Sequence, residues 1–398
     1  MKNNRYKTTI NACFIGFIVQ AITNNYAPLL FVNFEQSYGI SLSKITLLIT
    51  INFLVQLAID ALSMLFVDRI GYRTSMLIGH MFSFGGLISM AFLPDVFSDS
   101  FIGLLIAVIM YAIGSGLLEV LISPIMESCP NDNKEKAMSL LHSFYCWGHV
   151  GVVLISTIYF SLFGIKNWKY LTLFWALVPL TNALIFTKAP IPQLVKEEEQ
   201  HISLTELLRN KLFWLLIIMM VCAGASEQAV SQWASTFAEK GLNISKSMGD
   251  LLGPMSFAIL MGTSRSIYGN HGEKIEQHKF MIFSTLLCIA SYLIIPFSKN
   301  PIVSLLGCGI CGFSVGIMWP GTLSNASVLK NGGTALYALL AFAGDIGCST
   351  GPALAGYVSN LTSGNLKAGI LSAIVFPVIL LIALLIYRHK YSNSKTKA

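Results

Sequence analysis

Long apolar runs separated by short polar breaks repeat along the whole chain. A membrane-spanning helix needs roughly 20 apolar residues. Runs of about that length or more fall at 9–34, 43–67, 74–94, 101–126, 138–163, 168–187, 212–238, 247–268, 279–297, 301–328, 334–360 and 366–388. They do not alternate apolar and polar residues, as the strands of a membrane barrel would. The pattern predicts twelve spans and an all-α membrane protein. The first run is too long for a cleavable leader and lacks a small-residue cleavage site, so it is expected to stay as span 1.

One polar interruption is much longer than the others, from Lys188 to Lys211, and it divides the spans six and six. Pro190 and Pro192 end the preceding helix. Glu197, Glu198 and Glu199 keep the stretch in water, and 202–208 is expected as a short amphipathic helix at the membrane surface. The expected organisation is a six-helix bundle over 1–187, a cytoplasmic central loop over 188–211, and a second six-helix bundle with a cytoplasmic tail over 212–398.

Composition agrees. Soluble domains carry about 25% charged residues; this chain has 11%, with 54% hydrophobic residues and a mean hydropathy of +0.67. The net charge of +7 is spread over many loops, which argues against nucleic acid as a partner. Of 26 Lys and Arg, 19 fall on the side of the termini and central loop and 7 on the other. The positive-inside rule therefore places both termini in the cytoplasm, in a cell membrane. Seven of the eight cysteines sit in apolar runs, so no disulfide framework is expected. Cys308-x-x-Cys311 lies on a Gly-rich apolar run without nearby His, which suits packing better than metal or redox chemistry. No metal or cofactor is expected.

The halves also repeat. An offset of 196 residues matches Gly116 with Gly312, Pro124 with Pro320, Ser128 with Ser324 and Lys134 with Lys330. It also matches Gly148-His149-Val150-Gly151 with Gly344-Asp345-Ile346-Gly347. Spans 4–5 are thus expected to correspond to spans 10–11, in two pseudo-symmetric bundles.

After span 2 the chain reads Asp68-Arg69-Ile70-Gly71-Tyr72-Arg73. This resembles the loop signature of the major facilitator superfamily, with Met64 in place of a family Gly. The loop after span 8 keeps Arg265, Tyr268 and Gly269 of the second, degenerate copy. The resemblance implies a twelve-helix transporter of that fold, with Asp68, Arg69, Gly71, Arg73 and Arg265 in conformational gating. Within the superfamily the chain is similar to the fucose permease branch of sugar:proton symporters. The likeness rests on Asn24-Asn25, Gly116-Leu117-Leu118-Glu119 with Pro124, Leu141-His142-Ser143-Phe144 with Gly148, and Gly224-Ala225-Ser226-Glu227 with Trp233. That branch has an Asp shortly after the Asn pair, where this chain has Tyr26-Ala27-Pro28.

Ionisable groups at mid-membrane cost at least roughly 2.5–3.5 kcal/mol, so they usually face a cavity or a partner. The candidates are Asp60, Glu119, His142, His149, Glu227 and Asp345. Ser115, Glu119 and Ser123 share one helical face, as do Asn52, Gln56 and Asp60. His80 reads as a packed neutral histidine. The resemblance places spans 1, 4, 7 and 10 around a central cavity. With His142 of span 5, they offer Asn24, Asn25, Glu119, Glu227, Gln228, Gln232, Trp233, Trp319 and Asn325 as substrate-binding candidates, Glu119 and Glu227 serving in proton coupling. Amides, carboxylates and indole faces suit a neutral polyhydroxylated solute. They also suit an amphiphilic cation. The expectation is a monomeric, non-enzymatic transporter in the lipid bilayer, moving a sugar or similar small solute with a proton. Proton-coupled efflux of cationic compounds is the rival, and a membrane enzyme or receptor a remote one.

Overall fold

The computed structural model describes residues 5–130, 134–191, 204–271, 276–326, 329 and 333–390. Most of the central loop, including Pro192 and Glu197–Glu199, lies outside the described residues. All regular structure among the described residues is helical. Ten helical stretches there are long and apolar enough to cross a membrane. Leu184, Phe92, Phe283 and Ile382 stand exposed on them, an apolar surface suited to lipid.

The first expected span is α1 (Lys7–Asn25) and α2 (Phe31–Tyr38), joined by a 3-10 turn at Ala27–Leu30. Pro28, which lacks a backbone N–H, sits inside that turn. Then follow α3 (Leu42–Ile70), α4 (Tyr72–Val96), α5 (Ser100–Ser128), α6 (Lys134–Phe163) and α7 (Trp168–Lys188). Starts are capped by short polar side chains: Ser41 accepts from the Lys44 amide and Asp99 from that of Phe101. Over the stretch 202–208 expected as a short helix, α8 (Leu204–Arg209) forms, and residues 202 and 203 lie outside the described residues.

The second half is less regular than the apolar runs suggest. Span 7 is α9 (Lys211–Ser231), α10 (Ala234–Thr236) and a π-helical turn at Phe237–Gly241. The run of span 8, 247–268, opens inside α11 (Lys246–Asp250), with Lys246 just ahead of it, and continues through a second π-helical turn at Leu251–Met255 around Pro254 and α12 (Ser256–His271). Next come α13 (Gln277–Phe297), α14 (Pro301–Val315) and α15 (Met318–Ala326), the last two breaking span 10 just before Pro320. Span 11 is α16 (Gly333–Leu361), and span 12 is α17 (Leu366–Ser372) with α18 (Val375–Lys390).

The chain forms two compact units: 1–196 with 238–251, and 197–237 with 252–398. In the first, α4 packs on α5 and α7, α1 on α5 and α6, and α3 on α5. Its core gathers Phe17, Met76, Leu118, Leu121, Ile122 and Phe186. In the second, α9 packs on α16 and α18, and α14 on α12 and α13. The α9–α16 seam is close enough that a Cβ on Gly347 would strike the Val221 carbonyl, and one on Gly351 that of Ala225. Helices in lipid associate through small residues of this kind. All eight cysteines are buried, and none is in a disulfide.

Candidate functional site

In the first unit the polar candidates converge. Asn24 on α1 meets α3, where Gln56 donates to it at 3.0 Å and Asn52 at 3.4 Å. Asn25 turns the other way and donates to the Tyr145 hydroxyl on α6 at 3.2 Å. Gln20, one turn before Asn24, donates to Glu119 on α5 at 2.7 Å. Carboxylate oxygens of Asp60 and Glu119 lie within 4.8 Å of one another. The result is a half-buried pair of acids beside a patch of amides. On the helices of this cluster, Asn52 Oδ1 and Ser115 Oγ are among the buried side-chain atoms without a hydrogen-bond partner in the protein. Buried polar atoms are normally satisfied, so each is suited to meet a polar group from outside the protein.

Gln20 was no candidate in the sequence, yet its i, i+4 spacing to Asn24 puts both on one face of the first span. Asn52, Gln56 and Asp60 were legible as a stripe and occupy the α3 side of the same cluster. His142 is exposed and meets Phe17 edge to face at 5.3 Å. His149 is buried. His80 is enclosed between the Met76 carbonyl at 2.7 Å and Asn182 at 2.8 Å, as a packed histidine.

The second unit holds a different arrangement. Glu227 on α9 is buried and 3.4 Å from the guanidinium of Arg265 on α12. Arg265 was expected with the loop after span 8; it lies within the helix, its long side chain reaching the acid. Gln228 donates to Glu227 at 3.3 Å, and Gln232 to Gln228 at 3.1 Å. Trp233 has no exposed surface, and its indole N–H donates to the Pro352 carbonyl at 3.0 Å. An enclosed ring has no face to offer a solute, so in this structure Trp233 is a packing residue. Trp319 is half-buried against Gly344, where a Cβ would collide with its ring. Asn325 is buried at the meeting of α13, α15 and α18: Gln277 donates to its side chain at 3.3 Å, and the Tyr387 hydroxyl to its backbone carbonyl at 3.2 Å. Asp345 is buried on α16.

The turn after α3 is organised by two of its four expected gating residues. Gly71 has φ of +86°, which side chains other than glycine's resist. Arg73 caps the end of α7, donating to the carbonyls of Phe186 at 3.1 Å, Ala189 at 2.8 Å and Thr187. Arg69 is exposed in the last turn of α3, where a cation favours the helix dipole. The Asp68 side chain lies outside the described residues.

A family model described as Major Facilitator Superfamily matches residues 12–352. No curated protein matches the sequence. Among solved structures, a variant of the E. coli fucose:proton symporter, FucP, is similar over 96% of this chain and 99% of its own, at 15% identity and a TM-score of 0.66. A D-xylose-proton symporter is similar over 96% of this chain and 97% of its own, at 14% identity and a TM-score of 0.80. A bacterial homolog of the human lysosomal transporter Spinster, inward-facing and occupied, is similar over 99% of this chain and 98% of its own. Its identity is 13% and its TM-score 0.75. At these identities the likeness is one of fold.

Proposed function

Because the chain belongs to the major facilitator superfamily, and so is a membrane transporter rather than an enzyme, we propose that it carries a sugar or similar small neutral polar solute into the cell together with a proton. Alternating access to a midplane site is the working cycle. The observation that carries this reading is the acid pair beside the amides: Asp60 and Glu119 within 4.8 Å, with Gln20 donating to Glu119 at 2.7 Å. Two like charges this close repel, and one proton held between them relieves the repulsion. Asn24, Asn52 and Gln56 beside them offer both donors and acceptors, the vocabulary a hydroxylated solute requires. Glu119, supported by Asp60, is the coupling acid. Glu227, 3.4 Å from the Arg265 guanidinium, is the second unit's acid and assists Glu119. That two of the similar folds are a fucose:proton and a D-xylose-proton symporter supports the substrate class. The excess of Lys and Arg on the side of the termini supports a cytoplasmic placement of both ends.

The test is a thermal-shift screen of the purified chain against sugars, polyols, nucleosides and cationic dyes, since a ligand that binds the folded state stabilises it by mass action. A shift with sugars or polyols alone is expected. A shift with cationic dyes alone would overturn the proposal in favour of efflux.

A further inference from the structure

Residues 238–251 connect α10 to α12 in sequence, yet they belong to the first unit. They leave and rejoin the helical path through the two π-helical turns, Phe237–Gly241 and Leu251–Met255. Such turns recur where the backbone is bent for a function. Within the first unit, Lys240 donates to Glu35 at 2.6 Å, and the Ser161 and Ser247 hydroxyls share a hydrogen bond of 2.8 Å. Lys246 stands 5.8 Å from the centre of the Phe160 ring. It is clamped by Glu239 at 3.1 Å and by Asp250 at 3.0 Å, Asp250 having no exposed surface.

Behind this segment is a cavity of about 210 Å³. Its lining includes Asn33 and Gln36 from α2, Phe160 from α6, and Glu239, Lys246 and Ser247 from the docked segment. Asn33 is 8% exposed. Its side-chain oxygen accepts from Ser37 at 3.3 Å, but its Nδ2 is buried with no hydrogen-bond partner in the protein. A buried donor left unmade is costly, and native folds rarely keep one without a reason.

We propose that this cavity is a second binding site, for a small neutral hydroxylated solute, distinct from the amide cluster at Asn24. Asn33 lies nine residues beyond Asn24, roughly 13 Å further along a helical path. A solute hydroxyl accepts from Asn33 Nδ2 and donates to Glu239. Two carboxylates surround one ammonium, which leaves an excess negative charge and disfavours an anionic solute. Three of the lining residues come from the docked segment, so the site is complete only while that segment is in place. Solute and docking therefore favour each other. The solute class rests on the transport reading above; the cavity and its unmade donor do not.

The test places a reporter in the cavity. Because all eight native cysteines are buried, Gln36→Cys in the purified full-length protein gives one accessible thiol for a maleimide. D-xylose and L-fucose are the probes, with accumulation of the same sugars measured in proteoliposomes. One or both sugars should slow labelling, by roughly tenfold at ten times their dissociation constant. Adding Asn33→Leu should abolish that protection, and Asn33→Asp, which keeps the shape but loses the donor, should do the same if the leucine variant fails to fold. Protection that survives both changes overturns the proposal. Accumulation of a sugar without protection overturns the second site and leaves the transport reading standing. Protection without accumulation supports the site and overturns that reading. Neither protection nor accumulation overturns both.

Discussion

The side-chain amide of Gln20 donates to Glu119 at 2.7 Å across the α1–α5 contact, from a position one helical turn before Asn24. A neutral donor can hold either protonation state of the acid in the same place. Glu119→Gln mimics the protonated form. In proteoliposomes it should abolish accumulation against a gradient while retaining exchange of labelled for unlabelled solute. Continued accumulation would remove Glu119 from coupling. Gln20→Leu should leave transport driven but slower, because the acid loses an orienting partner, not its proton.

The Glu227–Arg265 pair makes a separate prediction. Removing one member of a buried ion pair strands the other and typically costs about 3–5 kcal/mol. Arg265→Gln should therefore lower the melting temperature of the purified protein clearly. Combining it with Glu227→Gln should restore much of the loss. If the double variant melts no higher than Arg265→Gln alone, the pair is not the stabilising unit inferred from its 3.4 Å separation.

Gly151 and Gly347 correspond in the sequence repeat but not in their surroundings. A Cβ on Gly151 meets nothing within 4 Å, whereas one on Gly347 strikes the Val221 carbonyl. Gly151→Ala should leave folded yield and melting temperature near wild type, or raise the latter slightly, since Ala favours helix over Gly by up to about 1 kcal/mol. Gly347→Val should sharply reduce folded yield by forcing α9 and α16 apart. Size-exclusion profiles of the two variants provide the comparison, and a normal profile for Gly347→Val would contradict the close seam.

Lys246 governs the pH response of the docked segment. Desolvation alone would push its pKa down, but Asp250 and Glu239 outweigh it and hold the ammonium above the usual lysine value. A raised pKa contributes stability that is fully present below the unfolded value of about 10.4 and lost as pH rises through the folded value. The melting temperature of wild type should exceed that of Lys246→Met by a constant margin from about pH 6 to 9. The margin should shrink only in more alkaline buffer. A margin that already narrows between neutral pH and about pH 9 would contradict the clamp.

The spans were readable because lipid demands long apolar runs, and run length survives whatever the tertiary packing does. The break at Ala27–Leu30 was not foreseen within the continuous run 9–34, although Pro28 stands there; the α3 side of the acid pair was signalled by the spacing of Asn52, Gln56 and Asp60. Arg265 was harder. A cation at the end of an apolar run reads as loop until a buried acid is found to face it, and Glu227 is 38 residues away. Trp233 misled in the opposite direction: its residue type suggests a sugar platform, but only packing reveals whether an indole face is open. The docking of 238–251 left no trace in hydropathy at all, because Lys240, Lys246 and Glu239 are ordinary loop residues by composition. Their partners are fixed by three-dimensional proximity alone.

That docked segment sets a rule for anyone who recombines such chains. The natural place to splice two relatives is the polar stretch after Lys188, where the apolar runs divide evenly. A chimera cut there would inherit Glu35, Ser161 and Phe160 from one parent, and Lys240, Ser247 and Lys246 from the other. The first unit would be assembled from two ancestries at its own hydrogen bonds and ion pairs. Compatible parents must therefore have co-adapted across the splice, and the smallest exchangeable module is a half-chain together with fourteen residues encoded in the opposite half.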